Sequence, residues 1–310
     1  LPSGRPSGAP AADAPTGARL LIPQMLRRGY APGDAASVTA TASIVALVLP
    51  PSITMIIYGV AAEVSISALF FHGLYIGLGF GLVYLVTGWL VARKKGYPAE
   101  RGVGARELVR TAAKALPALL IPVVVLGGIR LGVFTATEGG AVAVLIAVIL
   151  GVVVYRELSW QRVVKAMRET TMLVAAIMLI IAMAQAYSWA LVTGGTPQIV
   201  ADAVLGLTDN VLLILFVANV ILLLIGTVVE GNAAIIIFTP ILLPIVTAAG
   251  VDPVHFGLIV VINLAIGLIT PPVGINLLIT SRFGGFSGER ALCDLLPWLG
   301  GAVGMVFAGR

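Results

Sequence analysis

Charge is scarce in this chain. Asp, Glu, Lys and Arg together make up 11% of its 310 residues, against about 25% in soluble domains. That shortage excludes an ordinary soluble globular fold. Cysteine is scarcer still: Cys293 stands alone, which excludes an intrachain disulfide and a cysteine metal cluster. Histidine occurs twice. No HExxH, GxSxG or Walker A pattern is present, nor a pair of intramembrane aspartates, so the chain is read as a non-enzyme. The net charge is +5. The basic residues are spread between apolar runs rather than gathered in a patch, so nucleic acid is excluded as a partner.

What the chain has in abundance is apolar length. Apolar runs, uncharged except for Asp294 in the last, cover 36–62, 115–129, 139–155, 171–201, 211–229, 231–251, 256–281 and 291–308. Several reach the ~20 residues that cross a bilayer as a helix. The fold class is therefore an all-α polytopic membrane protein. Cytoplasmic loops collect Lys and Arg, and 15 of the 19 basic residues fall in four clusters, around 27–28, 93–114, 156–168 and 282–290. The intervening loops carry Glu63, Arg130 with Glu138, Asp202 with Asp209, and Asp252. The alternation predicts helices at 36–61, 66–92, 116–132, 137–155, 170–193, 211–229, 232–249, 256–281 and 291–308. In "YRELSWQRVVKAMRE", Trp160, Val163, Val164 and Met167 share a helical face, which predicts a separate interfacial helix on the cytoplasmic side. "ERGVGARELVRTAAKAL" reads equally as a second such helix or as a solvated linker. The chain opens at Leu1 without Met or a signal peptide, which leads us to expect an N-terminally truncated piece or a misplaced start.

One punctuation pattern occurs twice. Pro23, Gly29 and Pro32 match Pro244, Gly250 and Pro253 at an offset of 221, and the double proline Pro50-Pro51 matches Pro271-Pro272. The loop at Gly29 holds Arg27 and Arg28, whereas the loop at Gly250 holds Asp252 and no Lys or Arg. Seven apolar segments separate them, or five crossings if 211–249 is a re-entrant hairpin. Either number is odd, so the copies point in opposite directions. Inverted repeats with broken helices at midplane are a hallmark of secondary transporters. Both double prolines fall inside apolar runs, where the carbonyls they free cannot face lipid.

The interrupted helices contain no Asp, Glu or His. They offer Thr41, Ser43, Ser52 and Thr54 in one copy, and Asn263, Thr270 and Asn276 in the other. A proton-coupled carrier normally places ionisable groups within its spans, so Na⁺ is the favoured coupling ion. In "GTVVEGNAAI", Gly231 and Asn232 would aim backbone at a site, with Glu230 either adding charge or forming a wetted polar turn; we prefer the turn. His72 is read as a packed or interfacial residue. "TATEGGAV" is read as a helix start, with Thr135 or Thr137 as N-cap and Glu138 in the first turn.

Three stretches carry a resemblance to a known family. They are "IPQMLRRGYAPGDAASVTATASIVALVLPPSITMIIYGVAAEVSISALF", "GGIRLGVFTATEGGAVAV" and "TPILLPIVTAAGVDPVHFGLIVVINLAIGLITPPVGINL". Over about residues 7–305 the chain closely resembles the large membrane subunit of tripartite ATP-independent periplasmic (TRAP) transporters, the DctM family. The resemblance implies an elevator-type, sodium-driven importer of organic acids, of the C4-dicarboxylate or sugar-acid type, multi-pass in the bacterial inner membrane. It also implies two partners, a small four-helix membrane subunit and a periplasmic substrate-binding protein. Ion sites in that family lie between a hairpin tip and a facing broken helix. Carried over, one site involves Ser7 and Gly8 with Pro50, Pro51 and Ser52. The other involves Gly231 and Asn232 with Thr270, Pro271 and Gly274. The first tip, "SGAPAADAPTG", keeps Ser7, Gly8, Ala12, Asp13 and Ala14, lacks two serines usual in the family and has Pro10 and Pro15. Residues 1–92 are then a first-repeat transport part, 93–209 the amphipathic arms and scaffold helices, and 210–310 a second-repeat transport part.

Two alternatives stand beside this reading: another inverted-repeat ion-coupled carrier, or a non-transporting scaffold or channel subunit in which the prolines only kink helices. The topology separates them. Single cysteines at Tyr30 and Val251, in a Cys293→Ser background, should be labelled from opposite sides of the membrane. Equal labelling of both by an impermeant thiol reagent would remove the inverted repeat.

Overall fold

The computed structural model describes residues 10–97, 104–156, 158–196, 199, 206, 208, 210–271, 274–284, 294–302 and 304. The chain divides into two units, one of Leu1–Pro98 with Ala184–Arg310 and one of Ala99–Met183.

The first unit holds α1 (Pro10–Arg27), α2 (Pro32–Val48), α3 (Ile53–Ala61) and α4 (Ile66–Lys95) from the early part of the chain. From the late part it holds α8 (Val211–Val228), α9 (Gly231–Ala248), α10 (Pro253–Gly267), α11 (Ile275–Gly284) and a helical stretch at 294–302. The offset of 221 that relates the punctuation also relates the elements. Adding it to 10 and 27 gives 231 and 248, the bounds of α9; adding it to 32 gives 253, the start of α10.

The punctuation has a definite physical job. Gly29 and Gly250 both adopt left-handed backbone, at φ 82° and 88°. Their N–H groups donate to Leu26 and Thr247, and the next residues, Tyr30 and Val251, donate back to Met25 and Val246. This is a Schellman stop, which glycine makes at no steric cost. Pro32 and Pro253 then open the following helices, where a missing N–H leaves nothing unpaired. Each copy is thus helix, glycine stop, proline start, helix, break, helix.

The copies pack crosswise. α1 lies on α2 of its own copy and on α11 of the other, while α9 lies on α10 of its own copy and on α3 of the other. α10 sits at the centre and is buried along nearly its whole length. Two glycines let its neighbours touch it. A Cβ on Gly267 would stand 2.4 Å from the Gly226 carbonyl carbon of α8, and one on Gly257 would stand 2.2 Å from the Tyr58 ring of α3. The Tyr58 hydroxyl donates to the Pro253 carbonyl at 2.8 Å. Asn263 of α10 donates to Asn219 of α8 at 2.6 Å, so a buried polar pair joins the same two helices.

At one end of this unit Lys95 Nζ donates to both Asp34 carboxylate oxygens at 2.8 Å and to Asp294 at 2.7 Å. The Tyr97 hydroxyl also donates to Asp34 and accepts from the Ala31 N–H at 3.1 Å. Burial, and then that bond to Asp34, raise the Tyr97 phenol above its ordinary pKa. The network ties the start of α2, the end of α4 and the 294–302 stretch together.

The second unit contains α5 (Ala105–Arg130), α6 (Ala136–Ile149), a π-helical turn at Leu150–Val154, and most of α7 (Trp160–Thr193). Thr135 and Glu138 form the expected capping box at the start of α6. α5 carries Pro117 and bends by 55° between Ala113 and Leu116. Its helical start at Ala105 favours the helix over the linker for that segment. The separate interfacial helix expected around Trp160 is corrected: α7 runs unbroken for 34 residues. Nothing in "RETTML" stops a helix, since it holds neither Gly nor Pro.

Among the described residues, five helices are long and apolar enough to cross a membrane, or seven if each bent pair counts as one span. Their outward faces are apolar. On α4, Tyr75, Leu78, Leu82, Leu85 and Trp89 recur at helical spacing and are all exposed, the opposite of a water-facing helix. The packing at Gly267 makes a sharp prediction. Gly267→Ala should force α8 and α10 apart and lower stability by about 1–3 kcal/mol, read as a lower thermal midpoint in detergent. Gly127→Ala, where a Cβ meets nothing within 4 Å, should leave the midpoint unchanged or slightly raised.

Candidate functional site

A helical carbonyl accepts from the N–H four residues on. For Leu47 that residue is Pro51, and for Leu268 it is Pro272, neither of which has an N–H. Leu47 and Leu268 are related by the same offset of 221. The first broken span bends by 44° between α2 and α3, and the second is interrupted between Gly267 and Ile275.

Each stranded carbonyl is recovered locally. The Ser52 hydroxyl donates to the Leu47 carbonyl and accepts from the Met55 N–H at 3.3 Å, so it closes the break and caps α3 together. At the second break the Asn276 N–H reaches back to the Leu268 carbonyl at 3.0 Å. The end of α10 tightens, with Ile269 donating to Ile266 and Thr270 to Gly267. The Thr270 hydroxyl donates to the Ile266 carbonyl at 2.7 Å. Gly274 has φ 49°, and a Cβ there would lie 3.2 Å from the Thr270 carbonyl, so glycine suits this return.

The turn between α8 and α9 meets both breaks. Glu230, Gly231 and Asn232 line a cavity of about 10 Å³ with Leu47 and Thr54 of the first copy and Leu264, Ala265 and Leu268 of the second. That is about the room of one water-sized sphere. Gly231 is buried, with the Leu264 side chain 4.0 Å from where its Cβ would be. Glu230 is exposed and acts as N-cap of α9: one oxygen accepts from the Ala233 N–H at 3.1 Å, the other from the Asn232 side chain at 2.9 Å. The polar turn expected there is thus a cap, and the carboxylate offsets the positive end of the α9 dipole beside the cavity.

The residues singled out from sequence fall in three groups. Gly231 and Asn232 line the cavity. Pro50, Pro51, Ser52, Thr270, Pro271 and Gly274 build the breaks that shape it, without lining it. Ser7 and Gly8 lie outside the described residues. Thr54, one of the hydroxyls expected from the first broken helix, lines it too; Leu47, Leu264, Ala265 and Leu268 were missed, and counting back four from Pro51 and Pro272 would have found Leu47 and Leu268. A further link joins the copies: Asn276 donates from its side chain to the Ser43 hydroxyl of α2 at 2.9 Å. His72 is exposed on α4 and contacts the Ala68 carbonyl at 2.8 Å.

Apolar helices with lipid-facing stripes, two of them broken at matched positions around one small site, define a polytopic membrane protein of the transporter class. The family described as "Tripartite ATP-independent periplasmic transporter, DctM component" matches residues 4–308, and the chain belongs to it. The isethionate TRAP transporter permease protein DctMQ of Oleidesulfovibrio alaskensis is 41% identical over 90% of this chain and 44% of its own length. The C4-dicarboxylate TRAP transporter large permease protein DctM of Pseudomonas aeruginosa is 39% identical over 90% and 66%. The sialic acid TRAP transporter large permease protein SiaM of Vibrio cholerae is 36% identical over 94% and 69%. The chain therefore spans from under half to about two thirds of these relatives. It is a multi-pass inner-membrane protein.

The break geometry yields a prediction. Ser52→Ala strands the Leu47 carbonyl and uncaps α3, and should cost about 1–3 kcal/mol of stability. Ser52→Thr, which keeps the hydroxyl, should recover most of it in the same thermal assay.

Proposed function

We propose that this chain is the large permease part of a sodium-driven TRAP importer of organic acids. The observation that carries this reading is the meeting of the Glu230–Asn232 turn with the flanks of both broken helices around a cavity of single-ion size. The C-terminal ends of α2 and α10 converge there at Leu47, Leu264 and Leu268. Such ends carry partial negative charge, and unwound carbonyls with hydroxyls are hard oxygen donors suited to an alkali cation. The Thr54 hydroxyl and the Leu47 and Leu268 carbonyls are the groups on this chain that would hold Na⁺. A carbonyl has two lone pairs, so the bonds from Ser52 and Asn276 leave each oxygen one acceptor position. Thr270, Pro271 and Gly274 set the direction of the second break.

The second candidate site, Ser7 and Gly8 against Pro50, Pro51 and Ser52, is the counterpart in the first copy. In this reading 1–92 and 210–310 carry the cargo and 93–209 belongs to the scaffold. The copies point in opposite directions and alternate access in an elevator-type cycle. The named cargoes of the three relatives are all organic acids, which sets the substrate class proposed here. The partners proposed are a small four-helix membrane subunit and a periplasmic substrate-binding protein.

Two measurements test this. Uptake by the reconstituted complex should collapse when K⁺ replaces Na⁺ at constant pH; uptake that follows a proton gradient alone would refute sodium coupling. In sodium titrations, Thr54→Val, which removes the hydroxyl that lines the cavity, should lose about 5- to 150-fold in affinity, more than Thr270→Val or Ser52→Ala loses, and an unchanged affinity in Thr54→Val would remove this cavity as the ion site.

A further inference from the structure

The two breaks are closed in different ways, and the difference falls on one position of the repeat. Met55 and Asn276 correspond at the offset of 221, as do Ser52 and Val273. In the first copy the Met55 N–H donates to the Ser52 hydroxyl at 3.3 Å, and that hydroxyl donates on to the Leu47 carbonyl. Val273 has no hydroxyl to act as such a relay. In the second copy the Asn276 N–H donates straight to the Leu268 carbonyl at 3.0 Å. Closing the second break rests on the backbone of Asn276.

Its side chain reaches the other copy. Asn276 Nδ2 donates to Ser43 Oγ of α2 at 2.9 Å, and Ser43 in turn donates to the Ala40 carbonyl at 2.6 Å. The hydroxyl proton is used within α2 and a lone pair is left over, so the NH₂ side of the amide is the side that faces Ser43. Other buried hydroxyls of these two helices bond within their own helix. Thr39 donates to the Ala35 carbonyl, Thr41 to Ser37, Thr280 to Asn276 and Ser281 to Leu278. The Ser43–Asn276 bond crosses between them. Ser43 stands one turn before Leu47, and residues four apart share a helix face. Leu47 and Leu268 both line the cavity. Asn276 thus holds one of them through its backbone and the other by way of Ser43.

An asparagine is costly here. It is fully buried, and its Oδ1 has no hydrogen-bond partner among the described residues. An unpaired buried acceptor destabilises, and asparagine is among the weaker helix formers. Leucine, of similar size, would carry neither penalty. Local rules broken in this way are characteristic of functional positions. Asn276 does not line the cavity, so it acts through the groups it holds.

We propose that Asn276 is a positioning residue for the ion site: it ties the second break to α2 of the first copy and so sets the spacing of the Leu47 and Leu268 carbonyls. This rests on the reading of their cavity as the sodium site. Without the tie the two carbonyls are free to move apart, and the cation is held less well although the helices stay packed.

Two readouts on the intact permease in detergent test it together: sodium affinity, from the rise in thermal midpoint with Na⁺ at constant ionic strength, and the midpoint without sodium. Asn276→Leu should lose about fivefold in sodium affinity. Ser43→Ala, which removes the other partner, should lose about as much. The double variant Ser43→Ala/Asn276→Leu should lose no more than either single change, because the same bond is removed. Its sodium-free midpoint should match or exceed that of the unaltered protein, since both partners are then apolar and the unpaired Oδ1 is gone. If Asn276 served stability alone, affinity would recover together with the midpoint. Unaltered affinity in the double variant overturns the proposal, as do losses that add. Thr54→Val separates the two readings. Unaltered affinity in Thr54→Val overturns the cavity as the ion site, and this proposal with it; a loss in Thr54→Val without one in Asn276→Leu overturns this proposal alone.

Discussion

The constraint on which the first unit depends is that a carbonyl stranded in hydrocarbon must find a partner inside the protein. An unpaired amide group there costs several kcal/mol. Pro51 and Pro272 strand the carbonyls of Leu47 and Leu268, at matched positions of two copies. The protein answers each differently, with the Ser52 hydroxyl in one copy and the Asn276 backbone in the other. Both answers hold the chain in a sharp return and leave a polar oxygen beside the Glu230–Asn232 turn. A break that would be a defect in an ordinary membrane helix becomes part of a small cavity with that turn.

Crosswise packing turns two breaks into one site. Because α9 rests on α3 and α1 on α11, the turn at the head of α9 reaches the first copy's break as well as its own. Close contact makes this possible. Gly226 and Gly267 bring α8 and α10 together with no side chain between them. In lipid, where apolar surface gains nothing from leaving its surroundings, small residues and buried polar pairs are what hold helices together. Asn219 with Asn263, and Ser43 with Asn276, supply those pairs.

Several features were readable because they are local. Gly29 and Gly250 with the prolines that follow them are helix stops and starts whose geometry depends on a few neighbouring residues, and the structure places them as such. The Thr135–Glu138 capping box is equally local. Readings that depended on helical faces fared less well. The apolar side of Trp160 and Met167 looked like a helix lying on the membrane, yet it is the first turns of α7, because amphipathicity does not mark where a helix ends. Glu230 looked like a loose polar turn and is an N-cap, a role in which glutamate is less common than Ser, Asp or Asn.

By itself the sequence determined the apolar spans, the doubled stop–start–break pattern and the positions of the two breaks. Each of these follows from hydropathy or from the missing N–H of proline, both properties of residues near in the chain. Only the tertiary structure decided which groups meet. Leu47 and Thr54 share a cavity with Leu264 and Leu268, more than 200 positions away. Thr270 and Gly274 shape that cavity without facing it. The reason is that the site is made by crossing helices from different copies, and the crossing is set by where glycines allow backbones to touch.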